Sequence, residues 1–188
     1  TIELEDVQDT AISKGHFRHF MLKEIYDQPD ALRQTLEGRL TSDSVLVPSF
    51  GVNAESIFQR VKAVQIVACG SSYYAGMVAR YWFEEIARIP CNVEVASELR
   101  YRKITVLRNT LLVTISQSGE TADTLAAQRA ANDRNYLASL CICNVPNSTM
   151  VREADLCLMT HAGIEVCVAS TKAFTNQLTD LMMLVLAL

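Results

Sequence analysis

Val64-Gln65-Ile66-Val67-Ala68-Cys69-Gly70-Ser71-Ser72 decides how this chain is read. Its first six residues are almost continuously apolar, too few for a helix, and closed by a glycine. That pattern describes a strand buried on both faces. Helical spacing follows over residues 73–88, until Pro90 stops it. Strand, small-residue turn and helix make one βα unit, and the unit recurs. Residues 92–96 read as a second strand. Leu111-Leu112-Val113-Thr114-Ile115 is a third and runs into Ser116-Gln117-Ser118-Gly119-Glu120-Thr121, with a helix over 124–131 beyond. Strands over 137–143 and 155–160 and a long apolar helix over 171–188 complete the series. Such alternation predicts an α/β fold. The expected form is a three-layer α/β/α sandwich on a mostly parallel, five-stranded, flavodoxin-like sheet of order 2-1-3-4-5.

Upstream, residues 16–28 and 31–40 read as two helices, with Pro29 between them and Asp30 as the N-cap of the second. A loop with Pro48 and Gly51 leads to a short helix after Asn53. The expected division is a linker and helical arm over 1–52 and the domain proper over 53–188.

Composition narrows the function. Hydrophobic residues at 49% supply a continuous core and exclude a disordered chain, and a net charge of −4 argues against nucleic acid or an anionic membrane as partner. No stretch reads as a membrane span: Pro146 interrupts residues 135–150, and the tail after Asp180 is too short. The acidic opening (Glu3, Glu5, Asp6, Asp9) replaces the basic, then apolar, start of a secretory leader. With no initiator Met and an apolar end at Leu188, the chain reads as a piece of a longer protein. Its six cysteines lack C-x-x-C spacing, and Cys141 and Cys143 share one strand face. They read as reduced, structural thiols of a cytoplasmic protein. His16 and His19 fall on one helical face without a Cys or carboxylate cluster, so no metal site is expected. No cofactor is expected either.

In a sheet of this order, ligands collect at the carboxyl ends of the first and third strands, where strand order reverses. Those two strands precede the turns richest in small hydroxyl residues. Each turn feeds a helix N-terminus, whose unpaired N–H groups and partial positive charge suit a phosphate. Gly119 allows close backbone approach. Neither turn holds Lys or Arg, so the cradle is one of hydroxyls and amides. The spacing is neither Walker A nor G-x-G-x-x-G, which counts against nucleoside triphosphates and dinucleotides. Glu120, a carboxylate beside a phosphate, must point outward or meet a cation.

Ser116-Gln117-Ser118-Gly119-Glu120-Thr121 resembles the Ser-x-Ser-Gly-x-Thr loop of the sugar isomerase (SIS) family. Within that family the chain is similar to the first SIS half of the isomerase region of the glutamine–fructose-6-phosphate aminotransferases. The supporting stretches are residues 18–25 with Gln28-Pro29, 96–102, 116–125, 144–156 and 168–174. The resemblance implies fructose 6-phosphate as substrate and glucosamine 6-phosphate as product. It implies that Ser72, Ser116, Gln117, Ser118 and Thr121 hold the phosphate. Ser71, the Val168 carbonyl and Ser170 would then face the sugar hydroxyls. This chain has Ser71 where the family usually has Thr, and Ile164 and Cys167 beside Glu165 where the family more often has Pro or Thr and Gly.

The resemblance places the catalytic His, Glu and Lys beyond Leu188, so no catalytic residue is assigned here and the chain is expected to bind without turnover. It also implies a homodimer. Lys172 reads as a pairing or capping residue and His161 as a surface or hinge residue. Lys23 and Glu24 read as a solvated helix face or dimer contact. A stand-alone phosphosugar isomerase would instead need Glu98 or Glu120 as its acid–base group, and a sugar-phosphate sensor would need a DNA-binding helix-turn-helix.

Overall fold

Five parallel strands form one sheet in the order β2-β1-β3-β4-β5: β1 (Ala63–Ala68), β2 (Cys91–Val95), β3 (Thr110–Ser116), β4 (Ala138–Cys143) and β5 (Leu156–Met159). The structure, a computed structural model, describes residues 13–131 and 134–188; the acidic opening run lies outside them. β1, β3 and β4 are buried along their whole lengths, as their near-continuous apolar sequences require. Ala68 pairs with Ile115 and Ser116 with Cys143, so the turns after β1 and β3 leave the sheet side by side. The expected sheet order and the three-layer α/β/α architecture are both found.

One face is covered by α4 (Gly70–Trp82), α8 (Lys172–Ala187) and α2 (Gln28–Leu36). The other carries α5 (Ala96–Leu99), α6 (Ala122–Ala131) and α7 (Thr149–Glu153). Strand alternation sorts the core accordingly. Ile66, Val113, Ile115 and Leu140 pack with Phe83, Leu181 and Leu184, while Val67 and Leu112 pack with Leu99 and Ala127 on the opposite face. Gly76 lets α4 lie close to the sheet, because a Cβ there would stand 2.9 Å from Ile66 Cγ2 and 3.1 Å from Val93 Cγ1. A single π turn, Phe83–Ala87, ends that helix, and Arg88 reverses the chain at φ 59° before Pro90.

Several boundaries differ from the sequence reading. α4 begins at Gly70, not at residue 73, because Gly70 takes a φ of 57° and turns the chain straight from the strand into the helix. Ser71 and Ser72 therefore occupy its first turn. Upstream, α1 (Phe20–Tyr26) starts after His19, whose extended backbone removes it and His16 from any common helical face. In α2, Pro29 sits inside the first turn, where its missing N–H costs nothing. Asp30 does not cap; it pairs with Arg33 at 2.5 Å. Gly38, at φ 70°, turns the chain before residue 40.

The segment Val47–Phe50 is a 3-10 turn leading to α3 (Ala54–Phe58). Phe50 and Ala54 are fully buried in the main core. α8 packs between α2 and α4 through Leu181, Met183, Leu184 and Val185. Its apolar face is thus covered by its own chain, while Leu186 stays 59% exposed.

Candidate functional site

A cleft of about 370 Å³ opens at the carboxyl ends of β1 and β3, where strand order reverses. Three segments wall it. Ser71 and Ser72 come from the first turn of α4, and Ser116, Gln117, Ser118 and Thr121 from the loop between β3 and α6. Val168 and Ser170 come from the irregular strap that runs from β5 to α8. All eight residues singled out in the sequence line this one space. Among the described residues, neither Lys nor Arg joins them.

The β3–α6 loop is braced from within. Ser116 is 3% exposed, and its hydroxyl lies 2.9 Å from Thr121 Oγ1 and accepts the Gly119 N–H at 3.0 Å. Ser118 Oγ accepts the Glu120 N–H at 3.2 Å. Gly119 holds a φ of 66°, and a Cβ there would fall 2.0 Å from Ser148 Oγ and 2.7 Å from Cys143 Sγ. No side chain larger than hydrogen fits at that position. The loop thus arrives at the α6 N-terminus with a fixed shape.

Glu165 is the acidic member of the lining. Its Oε1 accepts from the Thr171 N–H (2.9 Å) and the Ala173 N–H (3.1 Å), and lies 3.1 Å from Thr171 Oγ1, whose single proton it shares with Glu24 Oε2 at 3.2 Å. The carboxylate thereby caps the N-terminus of α8, a setting that favours negative charge. Sequence reasoning gave Glu165 no role. An acidic residue eight positions ahead of Ala173 in a segment without regular structure offers no periodic signal for a distant cap.

A profile of the SIS domain matches residues 57–187. The chain belongs to the SIS domain family. It is 59% identical over 187 residues to the glutamine–fructose-6-phosphate aminotransferase (isomerizing) of Haemophilus influenzae, covering 100% of this chain and 31% of that protein. Against the Pseudomonas putida aminotransferase of the same name, identity is 64% over 178 residues, or 95% of this chain and 29% of that one. The chain thus spans about a third of these relatives. Among solved structures, the C-terminal domain of glucosamine-fructose-6-phosphate aminotransferase from Francisella tularensis superposes with a TM-score of 0.89 at 52% identity, covering 92% of this chain and 48% of that one.

Elsewhere in this SIS domain the remaining candidates fall outside the cleft. Glu120 points away and accepts the Thr149 N–H at 2.6 Å; that bond holds its carboxyl below the usual range. Glu98 lies on α5, away from the lining. His161 is exposed with a φ of 54°, its Nδ1 3.4 Å from Arg39 Nη2. Partial burial first, and the Arg39 charge second, lower its pKa. Lys172 is buried and paired to Asp27 at 3.3 Å, the pairing role read from sequence.

Glu24 departs from its expectation: it is 2% exposed and bonded to the strap, not solvated. All six cysteines are free thiols. Among the described residues, no group of three or more His, Cys, Asp or Glu is placed to hold a metal ion, and no helix is long and apolar enough to cross a membrane.

Proposed function

We propose that this SIS domain binds fructose 6-phosphate as one half of an isomerase region that forms glucosamine 6-phosphate with nitrogen from glutamine. The observation that carries the reading is the meeting of Ser71, Ser72, Ser116, Gln117, Ser118, Thr121, Val168 and Ser170 around one cleft at the strand-order reversal.

The phosphate sits against the N-termini of α4 and α6. Their amides lack intrahelical partners there, and the Ser72, Ser116, Ser118 and Thr121 hydroxyls and the Gln117 amide add donors. Ser71, the Val168 carbonyl and Ser170 face the sugar hydroxyls. Binding by oriented dipoles without a cation suits a ligand that must enter and leave at every turnover. The relatives' names support the substrate class, and the same reading makes the protein a cytoplasmic homodimer, which sedimentation of the intact protein tests.

Ser118→Ala tests the phosphate assignment. A hydrogen bond to a charged group contributes about 1.5–3 kcal/mol, so the affinity for fructose 6-phosphate should drop roughly 10- to 150-fold in calorimetric titration. A dissociation constant equal to that of the parent chain would remove Ser118 from the site.

A further inference from the structure

α1 reaches the cleft from the far end of the sequence. Its Glu24 is 2% exposed, and both carboxylate oxygens are engaged by the strap. Oε1 accepts the Val166 N–H at 2.6 Å and the Cys167 N–H at 3.1 Å, and Oε2 lies 3.2 Å from the Thr171 hydroxyl. Val166 and Thr171 bracket the cleft-lining residues Val168 and Ser170. Between them the strap has no helix or strand to hold its shape. Val168 itself is fully exposed, so packing does not fix it. A carboxylate that gathers two successive amides and a hydroxyl four residues on closes this span into a defined loop.

Two further bonds seat the same end of the arm on α8: Asp27 pairs with Lys172 at 3.3 Å, and Gln28 Oε1 accepts the Thr175 hydroxyl at 2.5 Å. From this geometry we infer that Glu24 is a positioning residue, one that shapes the strap so that the Val168 carbonyl and Ser170 meet the sugar, while the phosphate end of the cleft stands without it. The inference rests on the fructose 6-phosphate reading above. Burial of a carboxylate is costly unless its acceptors are filled. Here the Val166 and Cys167 amides fill Oε1 and the Thr171 hydroxyl, whose one proton Glu165 also faces, stands beside Oε2, so any change at Glu24 is felt first in the strap. The β1–α4 and β3–α6 turns share no hydrogen bond with Glu24.

Two ligands separate the two ends of the cleft in titrations of the 188-residue chain. Inorganic phosphate probes the serine turns alone, and fructose 6-phosphate probes the turns and the strap together. Glu24→Leu should leave the phosphate constant within about twofold and weaken fructose 6-phosphate by about tenfold or more, the scale of a misplaced contact. Glu24→Gln keeps one acceptor oxygen and should recover part of that loss. Thr171→Val, which deletes the hydroxyl that Glu24 shares with Glu165, should give the same selective loss in smaller measure and serves if Glu24→Leu does not fold.

Parallel loss of both ligands would mean a merely structural role, and equal fructose 6-phosphate binding in all variants would mean none; either overturns the inference and leaves the substrate reading standing. A parent chain that binds no fructose 6-phosphate overturns the substrate reading, and the inference with it.

Discussion

Gly119 shows how a single missing atom group sets the site. Its φ of 66° lies in the left-handed region, and the space a Cβ would need is held by Ser148 and Cys143. Gly119→Ala combines about 1–2 kcal/mol of backbone strain with about 1–3 kcal/mol of overpacking. A melting temperature lower by roughly 5–15 °C is the expected result for a chain of this size. Gly70 is the natural control: its φ is 57°, but nothing stands within 4 Å of a Cβ there. Gly70→Ala should therefore lose only the strain component, and equal losses for both variants would contradict the packing account.

The two serine turns were legible because Ser, Gly and Thr after an apolar run carry a local meaning, a helix N-terminus with spare donors, whereas Val168 and Ser170 entered only through the family resemblance. Glu24 and Glu165 were not. Each acts on backbone amides far from its own helix or in an irregular segment, so neither periodicity nor spacing marks it. Only the tertiary approach of α1 to the strap shows why Glu24 is buried.

At the scale of elements, strand order and helix placement followed from the alternation of apolar runs, whereas helix starts did not. Gly70 can open a helix only because it accepts positive φ, and composition alone reads it as a loop residue. α8 exposes a deeper failure. As sequence it is simply apolar, yet its buried face includes Asn176, Gln177 and Asp180. Asp180 is 3.4 Å from Arg39 Nη1, and the Arg39 guanidinium also donates to the Met159 carbonyl.

Burial raises the Asp180 carboxyl to about 7, outweighing the neighbouring Thr160 hydroxyl and the charge of Arg39. Between its ordinary pKa of 3.8 and about 7, the folded chain keeps a proton that the unfolded chain has released. This group's stabilisation is therefore complete below pH 3.8 and declines as pH rises to about 7. Asp180→Asn should remove that decline. Urea unfolding of parent and variant from pH 5 to 7 should diverge, the parent weakening faster by at most about 1.4 kcal/mol per pH unit. Parallel pH profiles would show that Asp180 does not titrate in this window.

Taken as a whole molecule, the chain walls one cleft with three segments distant in sequence. Among the described residues that line the cleft, Glu165 is the carboxylate; the Thr171 and Ala173 amides already engage its Oε1, and the Ser170 hydroxyl lies 3.4 Å from its Oε2. Lys172, the nearest amine in sequence to Ser170, is 7% exposed and tied to Asp27, so it is not free to form an imine. Binding and chemistry should therefore separate in this chain. At about 100 times its dissociation constant, fructose 6-phosphate should stabilise the fold by about 2.7 kcal/mol, a rise in melting temperature of roughly 5–10 °C. Inorganic phosphate at the same concentration reaches only the serine turns and should raise it less. Incubation with fructose 6-phosphate and ammonia should nevertheless yield no glucosamine 6-phosphate by chromatography. A thermal shift without product would separate binding from turnover in this chain. Product formation would place an unrecognised proton carrier in the cleft, with Glu165 first to be replaced.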